Sequence, residues 1–163
     1  LLYGALSDDR SALNTGVLLG VAQSLSFGTA SLMKSAVNRP RPFEVLRDVK
    51  VKLFSEPTGA SFPSGHAAQA FAVATMLSLR YKPAVSLPAF VWAGLVAYGR
   101  VYVGVHYPTD VLGGMAVGAI LSALAFQYRS DIIKTKDRIF NTGDPNYHLT
   151  QSSPIIALRI QLP

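Results

Sequence analysis

Three separated groups of residues in this 163-residue chain have types suited to handling a negatively charged oxygen group. Lys34 is followed, after SAVNRP, by Arg41-Pro42; Pro63-Ser64-Gly65-His66 opens an apolar run; Arg100, His106 and Asp110 share one short segment, the last two at i, i+4 spacing. A phosphoryl group in transfer spreads negative charge over three equatorial oxygens, so positioning and electrostatic stabilisation do most of the catalytic work. Lys34, Arg41 and Arg100 can supply the positive charge, and each arginine can grip two oxygens at once. The amides of Ser64 and Gly65, at a helix N-terminus, form an anion site, and Gly65 lets backbone approach a ligand closely. One imidazole can attack phosphorus while the other protonates the leaving oxygen. Asp110 can hold the far ring nitrogen of one of them and fix its tautomer. The spacing does not say which histidine does which. No metal-ligand cluster is evident, the cations can stand in for one, and no cofactor is expected.

Each residue taken alone has an ordinary structural reading. A Lys or Arg at a helix end interacts with the helix dipole, and Pro-Ser-Gly before an apolar run is a common helix start with Ser64 as N-cap. His106 and Asp110 can be a simple helical pair. The functional reading rests on their convergence at one end of a bundle, which the surrounding elements must produce.

Those elements are apolar. Half of the residues are hydrophobic and only 15% are charged, against about 25% in an average soluble domain. Between Ala60 and Tyr128 the only charged residues are Arg80, Lys82, Arg100 and Asp110, too few for amphipathic surface helices. With a mean hydropathy of +0.30, the chain is expected to lie in a membrane. Apolar stretches run from Thr15 to Val37, Ser64 to Tyr81, Ala84 to Tyr98 and Asp110 to Tyr128. The first and last reach the roughly 17–20 residues a span requires; the other two read as thin spans or buried helices. Gly16-x-x-x-Gly20 and Gly114-x-x-x-Gly118 are spacings that let helices approach closely. Arg39-Pro40-Arg41-Pro42 must be extended, Phe43 to Phe62 reads as a polar linker, and Arg100 to Thr109 reads as a loop. If the stretches alternate in direction, Lys34, Ser64, Arg100 and Asp110 share one end. Arg80 and Lys82 then share the other end with Arg129, Lys134, Lys136 and Arg138, and this basic end is expected to face the cytoplasm. The absence of cysteine excludes a disulfide framework and a thiol nucleophile. A net charge of +6, concentrated partly between Lys34 and Lys52, fits an anionic lipid or phosphate ligand better than nucleic acid in so apolar a chain.

The three groups resemble the signature of the type 2 phosphatidic acid phosphatase (PAP2) superfamily, K-x6-R-P, P-S-G-H and S-R-x5-H-x3-D. They read here Lys34-SAVNRP-Arg41-Pro42, Pro63-Ser64-Gly65-His66 and Gly99-Arg100-VYVGV-His106-YPT-Asp110, with Gly99 where serine is usual. The resemblance implies an all-α helical bundle of the kind shared with acid phosphatases and vanadium haloperoxidases, here membrane-embedded. It implies His106 as nucleophile, Asp110 orienting it, and His66 as general acid and then base. Lys34, Arg41, Ser64, Gly65 and Arg100 would bind phosphate. It further implies a metal-independent phosphatase acting on a lipid phosphate or diphosphate through a phosphohistidine. HYPTDVLGG, His106 to Gly114, is closer to membrane members than to soluble periplasmic ones, which implies a bacterial inner-membrane enzyme with its site toward the periplasm. Membrane members carry six spans with the first block ending the third; only Leu1 to Asn14 precede the first apolar stretch here, and the start at Leu1 suggests a processed or shortened chain. The expected division is a catalytic domain over 1–130 and a polar tail over 131–163, with Pro154 to Pro163 strand-like. Rival expectations are a soluble broad-specificity acid phosphatase, a vanadium haloperoxidase and a non-enzymatic helical scaffold.

Overall fold

The computed structural model describes residues 9–51 and 57–140, and these form helices with no strand among them. The strand-like reading of Pro154 to Pro163 and His148 lie outside the described residues. The helices are α1 (Arg10–Val37), α2 (Pro42–Val45), α3 (Gly65–Arg80), α4 (Pro83–Tyr102), α5 (Pro108–Gln127) and α6 (Arg129–Phe140).

The boundaries follow from local chemistry. Asp9 caps α1 by accepting from the Ser11 and Ala12 N–H groups at 2.9 and 3.0 Å. Asn38, in the left-handed region at φ 44°, ends it, and Arg39-Pro40 cannot continue it. Arg41 is extended, as its place between two prolines demands, but Pro42 starts the single turn α2 where a linker was expected. Pro83 and Pro108 occupy first-turn positions of α4 and α5, where a missing N–H costs nothing. α4 runs further than the sequence suggested. Arg100 lies in its last turn rather than in a loop, because nothing breaks the helix before Gly104, which sits at φ +80°. A helix over Arg129–Phe140 runs across residue 130, burying Ile133 against Leu18, Met76 and Phe126.

α3 is the central helix and packs against α1, α4 and α5. Small residues permit this. Ala67, Ala68, Ala72 and Ala74 are all fully buried, and α5 lies so close that a Cβ on Gly114 or Gly118 would overlap the carbonyl oxygen of Ser64 or Ala68. The Ser122 hydroxyl donates to the Ala72 carbonyl at 2.9 Å across the same seam. The Gly16-x-x-x-Gly20 spacing has no such role at Gly20, beside which the space is open.

The end of the bundle opposite Lys34 is tied by Arg80 Nε donating to Thr15 Oγ1 (3.0 Å) and Lys136 Nζ donating to Asn14 Oδ1 (3.0 Å). The expected alternation of direction therefore holds. Among the described residues, three stretches are long and apolar enough to cross a membrane: Arg10–Val45, which contains α1 and α2, then α4 and α5. α4 exposes Leu87, Val91, Trp92, Leu95 and Tyr98, a continuous apolar face that water would penalise and acyl chains would not.

Candidate active site

The non-polar helices leave their polar residues where they end, and those ends meet. Lys34 (last turn of α1), Arg41 (before α2), Gly65 and His66 (first turn of α3), Arg100 (last turn of α4) and His106 (before α5) line one cavity of about 380 Å³. Phe27, Pro57, Gln69 and Val105 complete its wall.

Backbone carbonyls fix the cations. Arg41 is only 6% exposed, and it donates from Nε to Gly59 O (2.8 Å), from Nη1 to Val105 O (3.1 Å) and from Nη2 to Thr58 O (3.2 Å). A guanidinium carries five N–H groups, so two remain for a ligand. Glu44 accepts the Arg41 backbone N–H at 2.7 Å, which ties the Arg41 backbone to the start of α2. Lys34 Nζ donates to the carbonyls of Ala60 and Ser61. Arg100 differs: its Nε is buried and has no hydrogen-bond partner among the described residues.

His106 is 5% exposed and its Nδ1 stands 3.6 Å from Asp110 Oδ2, a close approach that falls short of a hydrogen bond. Asp110 is fully buried. Its Oδ2 accepts the Tyr107 N–H at 2.8 Å and its Oδ1 accepts from Arg39 Nη1 at 2.8 Å. With Nδ1 turned to the carboxylate, the tautomer that places its proton there leaves the Nε2 lone pair free on the far side of the ring. Burial, then Arg41 and Lys34, push the His106 pKa from 6.5 down to about 4, against the opposing pull of Asp110 and the Ser61 backbone. Burial lowers the His66 pKa as well, with Arg100, Arg41 and Lys34 adding to the effect.

The site residues expected from sequence are thus brought together, with one correction. The Ser64 N–H donates to the Asp110 carbonyl at 2.9 Å, so this amide is not available to an anion. Ser64 is fully buried, and its hydroxyl caps α3 by accepting from Ala67 N–H at 3.5 Å. The N–H groups of Gly65 and His66 take no acceptor among the described residues and are the ones that can receive an oxyanion. Sequence reasoning missed Arg39, whose only signal was its place in a basic, proline-rich run, and Gln69, which lies on the same face of α3 as His66.

A bundle with membrane-crossing apolar helices and a cationic, imidazole-bearing cavity at one end defines a class: membrane-embedded helical proteins with an oxyanion site. The profile of the PAP2 superfamily matches residues 13–134, and the chain belongs to that family. It is similar to an undecaprenyl-diphosphatase of Sulfolobus acidocaldarius, with 33% identity over 115 residues, 71% of this chain and 55% of that protein. It is also similar to a lipid A 1-phosphatase of Rhizobium johnstonii, with 37% identity over 60% of this chain and 42% of that protein. The chain therefore spans about half the length of these curated relatives. The crystal structure of Aquifex aeolicus LpxE superposes with a TM-score of 0.68 at 34% identity, covering 78% of this chain and 74% of that one.

Proposed function

We propose that the chain carries the catalytic centre of a phosphatase that hydrolyses a phosphomonoester or diphosphate of a lipid through a phosphohistidine. The single observation that carries this reading is the gathering of three cations on one cavity, Lys34, Arg41 and an Arg100 whose buried Nε has no partner among the described residues, with His106 beside them and Asp110 buried behind the ring. A buried N–H donor without a partner is costly unless an acceptor completes it.

In this mechanism Lys34, Arg41, Arg100 and the amides of Gly65 and His66 hold the phosphate oxygens, with Ser64 fixing the start of α3 beneath them. His106 Nε2 attacks phosphorus and the bond to the leaving oxygen breaks. His66, solvent-accessible at the cavity edge, gives its proton to that oxygen. Water then attacks the phosphohistidine, His66 takes its proton, and inorganic phosphate leaves with His106 restored. Asp110 stabilises the positive charge that develops on the ring. The cations supply charge stabilisation that a metal would otherwise provide, so the proposed reaction draws on no cofactor.

The lipid class rests on the relatives, which are named for a prenyl diphosphate and for lipid A, and on the membrane-crossing helices, which disfavour the soluble acid-phosphatase reading. The basic end at Arg80 and Lys136 supports an orientation with the site away from the cytoplasm. Nothing in the site favours the haloperoxidase reading. The test is phosphate release from a panel of lipid phosphates and diphosphates in detergent micelles. Turnover that vanadate inhibits, and that His106→Ala abolishes while the far-UV circular dichroism is kept, is the expected result. Undiminished hydrolysis by His106→Ala would overturn the assignment.

A further inference from the structure

Arg39 does not line the 380 Å³ cavity, so it is not placed to touch a substrate there. It nevertheless contacts the carboxylate of the His–Asp pair directly. Its Nη1 donates to Asp110 Oδ1 at 2.8 Å and to Thr109 Oγ1 at 2.7 Å, and its Cζ lies 3.9 Å over the Tyr107 ring. Its carbonyl accepts the Ser61 N–H at 2.8 Å, so backbone and side chain both tie the 38–41 segment to the site. Asp110 is fully buried while Arg39 keeps 35% of its side chain exposed. A buried carboxylate needs hydrogen-bond partners, and the side-chain oxygens of Asp110 have two close ones, the Tyr107 N–H and this guanidinium.

We propose that Arg39 is a positioning residue for the nucleophile: it clamps Asp110 from outside the cavity, holds that carboxylate aimed at His106, and moderates its pull on the ring. The inference rests on the proposed roles of His106 and Asp110. The clamp also joins the two halves of the site, because the same four-residue segment delivers Arg41 to the cavity while Arg39 grips the first turn of α5. The charged and titratable groups around His106 are Lys34 from α1, Arg39 and Arg41 from the 38–41 segment, Glu44 from α2, His66 from α3, Arg100 from α4, the neighbouring Tyr107 and Asp110 from α5. Removing Arg39 takes one positive charge from this set and frees Asp110 to act more strongly on the ring. Both changes favour protonated His106.

The test compares Arg39→Ala, Arg39→Gln and Arg39→Lys in the full chain in detergent micelles, with two readouts. The first is the His106 ring titration by NMR of the histidine-labelled protein, its resonance identified by its loss in His106→Ala. The second is kcat and KM on the lipid phosphate turned over fastest by the unaltered protein. Arg39→Ala should raise the His106 pKa and lower kcat roughly 10- to 100-fold, the range typical when a partner orienting a functional histidine is removed, with KM little changed. Arg39→Lys should restore the pKa but only part of kcat, since an ammonium keeps the charge and loses the fork. If Arg39→Ala does not fold, Arg39→Gln, which keeps a donor, should show the same pKa rise. An unmoved His106 titration, or a change in KM alone, would overturn the clamp. Asp110→Asn separates the two claims: if it is fully active the His–Asp reading fails, and if it is impaired while Arg39→Ala is not, only the clamp fails.

Discussion

Arg100 and His106 carry the sharpest consequences for individual side chains. Arg100 has no partner at Nε among the described residues, and in the proposed mechanism its contribution goes to the ligand. Arg100→Ala is expected to lower kcat/KM by roughly 10²–10³, the usual effect of losing a charge-stabilising donor, and Arg100→Lys should recover only part of it. Steady-state kinetics on one lipid phosphate measure both; a wild-type kcat/KM in Arg100→Ala would remove it from the site. For His106 the sign is set by its surroundings. Burial, Arg41 and Lys34 all disfavour the protonated ring, so it stays neutral and able to attack at every pH above about 4. The acid limb of kcat/KM assigned to this group is expected well below the ordinary histidine value of 6.5. A bound phosphate offsets the charge of Lys34 and Arg41, so the His106 pKa should rise when inorganic phosphate is added, as read by NMR.

The elements deliver these side chains through close packing of α3 and α5. Gly118→Val places branched carbon against the Ala68 carbonyl and is expected to destabilise by about 1–3 kcal/mol or more. Gly20→Ala meets open space on α1 and should be neutral or stabilise by up to about 1 kcal/mol. Thermal unfolding in one detergent compares the two; equal effects would contradict the packing described. The same elements explain what the sequence could and could not reveal. Lys34, Arg41, His66, Arg100 and His106 were legible because helices alternating in direction bring their ends together, and apolar runs of this length are hard to mistake. The engagement of the Ser64 amide was not legible, because its acceptor, the Asp110 carbonyl, belongs to another helix and appears only when α3 and α5 are docked. Arg39 was hidden for the same reason: in Arg39-Pro40-Arg41-Pro42 both arginines look alike, and only the fold turns one inward and the other onto Asp110. Arg100 was misplaced into a loop because Gly99 and its aromatic and β-branched neighbours read poorly as helix, although the backbone stays helical to Tyr102, shortly before Gly104.

For the whole molecule, charge is sorted by end. One end gathers Lys34, Arg41, Arg100 and the histidines around a cavity, and the other gathers Arg80 and Lys136 in hydrogen bonds that tie helices together. Between them lies an apolar belt that includes Trp92, 68% exposed, and Leu95, 59% exposed. Such a belt is compatible with acyl chains, so the protein should remain with membranes through high salt and alkaline carbonate and leave only with detergent. Release by salt alone would contradict the membrane reading and return attention to a soluble phosphatase.

The central claim is that a phosphoryl group passes through His106. Rapid acid-free quenching of the protein during turnover of a lipid substrate labelled in its phosphate, followed by peptide mapping, tests it most directly. We expect acid-labile label on His106, absent in His106→Ala and more strongly accumulated in His66→Ala, where attack of water lacks its base. Full turnover with no label on His106, or label on another residue, would contradict the mechanism.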